Sequence, residues 1–333
     1  MKSNIFGLRT AGNMGRIVLL SLMLASVSAV FGQVSVGRIS GTVTDSAGAV
    51  VPNATVTVIN PAINFSRTAT TNDEGFYTVT NLPVGSYNVL VEAPNFKKSI
   101  SPGNALSADS RLTVDFKIET GQISETVEVT PTSGETVNVT SGEVGKVIDN
   151  QQLNNLALNG RNYYQLLSIV PGAVVTADDA LDTNLATNTI NINGNRGVSN
   201  NLTVDGGTNN NAGSNASQIN NVGIDFIQEV KLQTSNFSAE YGRNSGAQIN
   251  VITKRGGNKY HGSMFEFLRN DRFDARSAFD AVKPLLRYHN YGYSIGGPLP
   301  FPNFGENNGP AFKSGKDKFF FFFGQEWKSI HRF

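Results

Sequence analysis

Apolar and polar residues alternate in short runs along the first third of the chain. Ile39, Gly41 and Val43 alternate with polar neighbours in "GRISGTVTD", and Val56 and Val58 do so in "NATVTVIN". A period of two residues is typical of a strand that buries one face. Turn signals such as "DSAG" and "NDEG" recur about every ten residues, which predicts a β-sandwich. The alternation predicts one last strand that contains Leu112, Val114, Phe116 and Ile118.

The pattern changes in the middle of the chain, where helical and strand periods are mixed. Tyr163, Leu166, Leu167 and Val170 are spaced as one face of a short helix, and Pro171 marks its end. Farther along, "EVKLQ" and "QINVITK" alternate as strands do. The sequence therefore predicts a compact α+β unit, which follows a polar, glycine-rich linker.

Two later runs place aromatic side chains at every second position. In "YHNYGYSIGG" one face is apolar and aromatic and the other is small and polar, and in "KFFFFFGQEWK" one face contains Phe319, Phe321, Phe323 and Trp327. Such two-faced strands are typical of a transmembrane β-barrel, with Trp in the interfacial girdle. Phe320 and Phe322 would then face inward. A buried strand that is apolar on both faces is the alternative for the phenylalanine run.

A third run, "HGSMFEFLRN", fits the barrel pattern less well. Met264 and Leu268 interrupt its aromatic alternation. With this run the chain has material for about three barrel strands, each needing on the order of ten residues.

The N-terminus has the features of a secretory signal peptide. Lys2, Arg9 and Arg16 precede the apolar run "IVLLSLMLASVSAV", and small residues follow it. The run is short for a membrane span, so we expect residues 1–32 to be cleaved, after Ala29 or Gly32, and the mature chain to be exported. Later runs are not apolar enough for a spanning helix, so residence in a membrane must come from strands.

Composition excludes several function classes. The formal net charge of +1 gives no electrostatic reason to expect a nucleic-acid partner. The chain has no cysteine, which removes disulfides, thiolate ligands and cysteine nucleophiles. Metalloprotease, hydrolase-elbow and phosphate-loop motifs are missing from the sequence. We therefore expect no enzyme activity and no cofactor, and we expect the three histidines to be surface or interfacial residues.

The first third resembles the carboxypeptidase regulatory-like domain, a prealbumin-like sandwich. The resemblance rests on "GRISGTVTDSAGAVVPNATVTV" and "TNDEGFYTVTNLPVGSYNVLVEAPNFKK". It implies no hydrolysis, because the family name refers to a companion domain of certain peptidases. A rigid spacer and a binding module are both compatible with the residues.

The middle of the chain resembles the plug domain of TonB-dependent outer-membrane receptors of the Oar-like kind. The resemblance rests on "LALNGRNYYQLLSIVPG", "INGNRGVSNNLTVDGGTNNN" and "FIQEVKLQTSNFSAEYGRNSGAQINVITKRGGNKYHG", in this order. The chain departs from the family pattern at Ala247 and in "TKRGGN". The resemblance implies gated import, with TonB and its inner-membrane energising complex, outer-membrane lipid and an unidentified extracellular substrate as partners.

Together these patterns give a mainly β protein. We expect a signal peptide at 1–32, a prealbumin-like or immunoglobulin-like β-sandwich at 33–120, a linker at 121–135, an α+β plug at 136–257, and the first strands of an incomplete transmembrane β-barrel at 258–333. A plugged transporter barrel needs roughly 22 strands. We therefore expect the sequence to be the N-terminal part of a longer outer-membrane protein.

The linker contains the leading candidate for a functional segment. An extended strand there is suited to capture by edge pairing, and its position resembles that of the TonB box. The candidate residues are Ser124, Glu125, Thr126, Val127, Glu128, Val129 and Thr130. An ordinary linker strand is the alternative.

Two charged residues stand in the glycine- and asparagine-rich loops of the plug-like region. Arg196 and Asp205 are candidates for contact with each other, with the barrel wall or with an external substrate. Turn-forming roles are expected for Gly194, Gly197 and Gly206 and for Gly207. A secreted adhesion or carbohydrate-binding protein built on the sandwich is the alternative function for the whole chain.

Overall fold

The structure is a computed structural model. It describes residues 36–121, 126–128, 142–156, 158–176, 189–239, 241–242, 244–276, 278, 281–303 and 312–332. The described residues all belong to one compact unit, Ser35–Phe333. The predicted signal peptide lies outside these ranges.

The first part of the structure, which we call the sandwich domain, consists of two packed sheets. Its strands are β1 (Val36–Asp45), β2 (Thr55–Asn60), β3 (Phe65–Thr70), β4 (Phe76–Pro83), β5 (Gly85–Glu92), β6 (Lys98–Leu106), β7 (Arg111–Thr113), β8 (Phe116–Ile118) and β9 (Thr126–Glu128). One sheet has the order β3-β2-β5-β6-β9, and in the other β1 lies between β4 and β7 and also pairs with β8. The alternating residues Ile39, Val56, Val58, Val89 and Val91 fill the core between the sheets.

The prediction of one continuous strand through Leu112 and Ile118 is wrong. The segment forms two short strands, β7 and β8, that both pair in parallel with β1. The break lies at Asp115. Its carboxylate accepts two hydrogen bonds from Thr42, one from the backbone N–H at 2.7 Å and one from the side-chain hydroxyl at 2.9 Å. A side chain therefore replaces part of the backbone ladder at this point, and the strand is interrupted.

The central domain follows and combines one sheet with short helices. Its strands are β10 (Val144–Asp149), β11 (Ala173–Val175), β12 (Ile190–Ile192), β13 (Asn201–Val204), β14 (Gly207–Thr208), β15 (Ile227–Ser235) and β16 (Gln248–Thr253). The sheet has the order β10-β15-β16-β13-β14, and β11 and β12 form a separate pair. The helices are α1 (Asn150–Asn155) and four 3₁₀ helices, Asn159–Arg161, Tyr163–Ile169, Gly197–Ser199 and Ile224–Phe226.

The predicted helix around Tyr163 is a 3₁₀ helix that ends at Ile169, and the predicted face is buried: Tyr163, Leu166 and Leu167 within the helix and Val170 directly after it. Asn162 caps it by accepting the backbone N–H of Tyr164 at 3.0 Å. Side chains three residues apart lie above one another in a 3₁₀ helix. The sequence "YYQLL" therefore places Tyr163 over Leu166 and Tyr164 over Leu167, and both rows pack in the core.

The last part of the structure is formed by strands. These are β17 (His261–Asn270), β18 (Leu286–Pro298), β19 (Phe301–Pro302), β20 (Phe312–Lys313) and β21 (Phe320–Arg332). Strands β17, β18 and β21 form an antiparallel sheet in that order, which we call the aromatic sheet. Among the described residues, every helix is too short or too polar to cross a membrane.

Candidate functional site

The aromatic sheet has two chemically different faces. Its register pairs Met264 with Tyr293, Tyr291 with Trp327, and Ile295 with Phe323. These six side chains point the same way and all are exposed. The rings of Tyr291 and Trp327 stack with their centroids 5.5 Å apart. An exposed band of this size is unusual for a surface that faces water.

The opposite face of the aromatic sheet lies against the central domain. The Tyr288 hydroxyl donates a hydrogen bond to the carbonyl of Gly160 at 3.2 Å and accepts one from the amide of Asn290 at 3.1 Å. Asn290 is fully buried. Phe226 of the central domain packs against Phe322, with ring centroids 6.4 Å apart. The inward orientation that the alternation predicts for Phe322 agrees with this contact.

Met264 and Leu268 do not interrupt the faces of β17. Both side chains are on the exposed face, whereas the neighbouring Phe265 and Phe267 point to the central domain. The alternation is therefore regular, but the aromatic residues of this strand are on the inner face. Their partner, Arg161, is in the central domain, which the local pattern of β17 does not reveal.

Arg161 is the centre of the contact between the central domain and the aromatic sheet. Its guanidinium lies 3.7 Å from the ring centroid of Phe267 and 5.4 Å from that of Phe265. The same group forms an ion pair with Asp225, and both side chains are nearly buried. Burial raises the pKa of Asp225, while the positive charges of Arg161 and Lys254 oppose that change.

Two glycines allow this close approach. A Cβ atom at Gly324 would overlap the ring of Phe226, and one at Gly223 would overlap the carboxylate of Glu326. Glycine is therefore suited to both positions, because there the backbone of one part lies directly against a side chain of the other.

The candidate linker segment is only partly described. Thr126–Glu128 forms β9, which pairs in parallel with β6 so that Thr126 lies opposite Lys98 and Glu128 lies opposite Ile100. Ser124, Glu125, Val129 and Thr130 lie outside the described residues. The described centre of the segment is thus an outer strand of the sandwich domain.

The two charged loop candidates, Asp205 and Arg196, have different structural surroundings. Asp205 has a φ of 49°. Its carboxylate accepts two hydrogen bonds from Thr253, one from the backbone N–H at 3.0 Å and one from the side-chain hydroxyl at 2.7 Å. It therefore fixes the turn between β13 and β14 to the end of β16. Arg196 is exposed and precedes the 3₁₀ helix Gly197–Ser199.

A further contact, between the sandwich and central domains, is not predicted by the sequence analysis. The backbone N–H of Ala108 donates a hydrogen bond to Glu229 Oε1 at 2.6 Å, and Lys231 Nζ donates one to the carbonyl of Asp109 at 3.1 Å. Burial raises the pKa of Glu229, and its bond to Ala108 opposes the change. The alternation in "EVKLQ" predicts the strand but gives no sign that its polar face, with Glu229 and Lys231, is buried.

Groups of three or more potential metal ligands do not occur among the described residues.

Three family descriptions match the chain in sequence order. A carboxypeptidase regulatory-like domain matches residues 38–142, a TonB-dependent receptor plug domain matches 138–247, and an outer membrane beta barrel domain matches 252–332. These three matches, in this order, support a TonB-dependent receptor. In this family the central domain corresponds to the plug, and the aromatic sheet corresponds to strands of the barrel.

A curated relative agrees with this assignment. The TonB-dependent transporter Oar of Myxococcus xanthus is 28% identical over 291 residues, which are 82% of this chain and 26% of that protein. The chain thus spans about a quarter of that relative's length.

Two solved structures share local features with the receptor chain. The siderophore receptor PirA of Acinetobacter baumannii has a TM-score of 0.34 and 21% identity, over 46% of this chain and 22% of PirA. A catechol 1,2-dioxygenase of Acinetobacter radioresistens has a TM-score of 0.23 and 14% identity, over 30% of this chain and 58% of the dioxygenase. Nothing about function follows from likenesses at these scores.

Proposed function

We propose that this TonB-dependent receptor is part of an energy-coupled importer in the outer membrane. A substrate binds from outside, the segment 124–130 is gripped by TonB in the periplasm, and the pull of TonB rearranges the central domain. The inner-membrane proton gradient supplies the energy through the TonB complex. The chemistry is non-covalent throughout.

One observation carries the proposal: the aromatic sheet presents exposed rings on one face and holds the central domain on the other. Hydrocarbon is the environment that suits the exposed face, which contains Tyr291, Tyr293, Phe323 and Trp327. The inner face contacts the central domain through the hydrogen bond from Tyr288 to Gly160, the ring of Phe226 and the guanidinium of Arg161, and a contact of this kind between domains is separable. A plug that must move inside a barrel requires such a contact.

The position of β9 supports the role of segment 124–130. Among the described strands β9 is the last of its sheet, so its outer edge presents backbone groups that an incoming strand can pair with. Thr126, Val127 and Glu128 already have the extended conformation that strand addition needs. A partner therefore pays less conformational entropy to order them.

Deletion of residues 124–130 from the intact gene tests this proposal. The matched control deletes 131–137, which removes the same number of residues and keeps the segment. We expect both proteins to reach the outer-membrane fraction, and we expect the first deletion alone to abolish capture by the purified periplasmic domain of TonB. Equal capture by the two deletion proteins would contradict the assignment of the segment.

Fractionation of cells that express the intact gene tests the location. We expect the protein in the outer-membrane fraction, because the exposed rings of the aromatic sheet require lipid. Recovery of the folded protein in the soluble periplasm would instead favour the secreted binding module.

A further inference from the structure

The sandwich domain is attached to the central domain by residues 107–110, which we call the docking loop. Ala108 is fully buried, and its N–H is bound by the Glu229 carboxylate at 2.6 Å. Asp109 has a φ of 50°, which turns its carbonyl and its carboxylate toward the central domain. The docking loop is therefore held in one defined conformation against β15 and β16.

Asp109 completes the contact from two sides. Its carbonyl accepts a hydrogen bond from Lys231 Nζ at 3.1 Å, and its Oδ2 accepts one from the amide of Asn250 at 3.1 Å. Lys231 also pairs with Glu143 at 2.8 Å, and its side chain is only 7% exposed. Both backbone and side chain of Asp109 thus contribute to docking.

The character of this contact indicates that it can open. The apolar cores of the sandwich domain and the central domain are separate clusters. The docking contacts are hydrogen bonds and charges, and water replaces such partners when the surfaces part. Glu229 and Lys231 regain their hydration on release, and the free energy of that hydration offsets the free energy lost with the docked hydrogen bonds.

The docking loop and the candidate TonB box are connected by a single strand. Strand β6 pairs with β9 at its first residues, Lys98 to Ile100, and leads directly from Leu106 into the docking loop. Leu106 is buried in the sandwich core. The two contacts lie at opposite ends of β6, roughly 20 Å apart at about 3.3 Å per residue.

We propose that the sandwich domain is a relay, in which a pull on the box strand β9 is passed through β6 and withdraws the docking loop from β15 and β16. This inference rests on the proposed function, because it takes segment 124–130 as the segment gripped by TonB. In the resting protein the docking loop clamps two central strands of the plug. The TonB pull therefore releases that clamp before or together with movement of the plug.

Hydrogen exchange at the Ala108 amide reports docking directly, because Glu229 accepts that hydrogen. We expect the amide of the purified intact protein to be protected, and to exchange at least tenfold faster when the periplasmic domain of TonB saturates the box. Glu229→Gln weakens the acceptor, so we expect faster exchange without TonB. Unchanged protection in the presence of bound TonB would overturn the relay.

A disulfide provides the second arm of the experiment. The chain has no cysteine, so Asp109→Cys with Asn250→Cys introduces one defined pair across the docking contact. We expect the oxidised protein to bind TonB without faster exchange at the Ala108 amide, and we expect reduction to restore that response. The matched control is Thr57→Cys with Thr68→Cys, a cross-strand pair inside the sandwich domain that we expect to leave the response intact.

The outcomes separate the relay from the proposed function. If TonB does not bind the wild-type protein, the proposed function and the relay both fail. If TonB binds, and the oxidised 109–250 pair responds as the control pair does, only the relay fails.

Discussion

At the scale of single residues, Arg161 determines how the aromatic sheet holds the central domain. It adopts a φ of 53° directly after Gly160, whose φ is 71°, and this turn directs the guanidinium between Asp225 and Phe267. The planar guanidinium satisfies a carboxylate at its edge and an aromatic ring at its face, which a lysine ammonium cannot do as well.

Arg161→Ala should lower the free energy of unfolding by about 3 kcal/mol, because it leaves the Asp225 carboxylate buried and unpaired. Thermal denaturation of the intact protein in detergent measures the change. The control is the double variant Arg161→Ala with Asp225→Ala, which removes both charges and should recover part of the loss. A double variant that loses the sum of the two single effects would show that the residues do not interact.

At the scale of elements, alternation in the sequence predicts which residues of a strand face together. The outward rings of β18 and β21, the buried valines of β2 and the mainly β fold are confirmed by the structure and the family matches. The pattern failed where a side chain from elsewhere intervenes. Asp115 interrupts the predicted last strand, and Arg161 attracts the phenylalanines of β17 inward.

The outward face also predicts how substitutions act. Tyr293→Arg places a charge in the middle of the aromatic band, which costs about 2–4 kcal/mol if that band lies at the bilayer midplane. His331→Arg is the matched control, since His331 points the same way near the end of β21, opposite Arg287. The yield of folded protein in the outer-membrane fraction should fall for the first variant alone. Equal yields would show that the band does not face lipid.

The domain contacts were beyond prediction from the sequence. Glu229, Lys231 and Asn250 occupy polar positions of two alternating strands, yet they are buried and bind the docking loop. The pairing of β9 with β6 joins residues that share no local pattern. Such contacts depend on which surfaces meet in the folded chain, and hydrophobic periodicity has no information about polar surfaces that meet.

At the scale of the whole molecule, the described chain contains two separate hydrophobic cores. The sandwich domain has its own cluster of buried residues, including Tyr77, whose hydroxyl donates to the carbonyl of Val114 at 2.6 Å. The central domain has a second cluster. A domain with its own core can fold without its neighbour.

A fragment of residues 36–130 should therefore fold and show one cooperative thermal transition by circular dichroism. Tyr77→Phe leaves the buried carbonyl of Val114 without this donor and should lower the stability of the fragment by about 1 kcal/mol. A fragment without a cooperative transition would show that the sandwich domain needs the central domain to fold.

The polar nature of the docking contact also affects how such a protein reaches its membrane. In the proposed outer-membrane location, an exported chain has to cross an aqueous compartment before its aromatic strands reach lipid. The docking loop and the strands that bind it carry amide, carboxylate and ammonium groups, so they stay well hydrated while apart. Among the described surfaces, the exposed rings of the aromatic sheet form the contiguous apolar band, so that sheet is the surface where aggregation has to be prevented before it meets lipid.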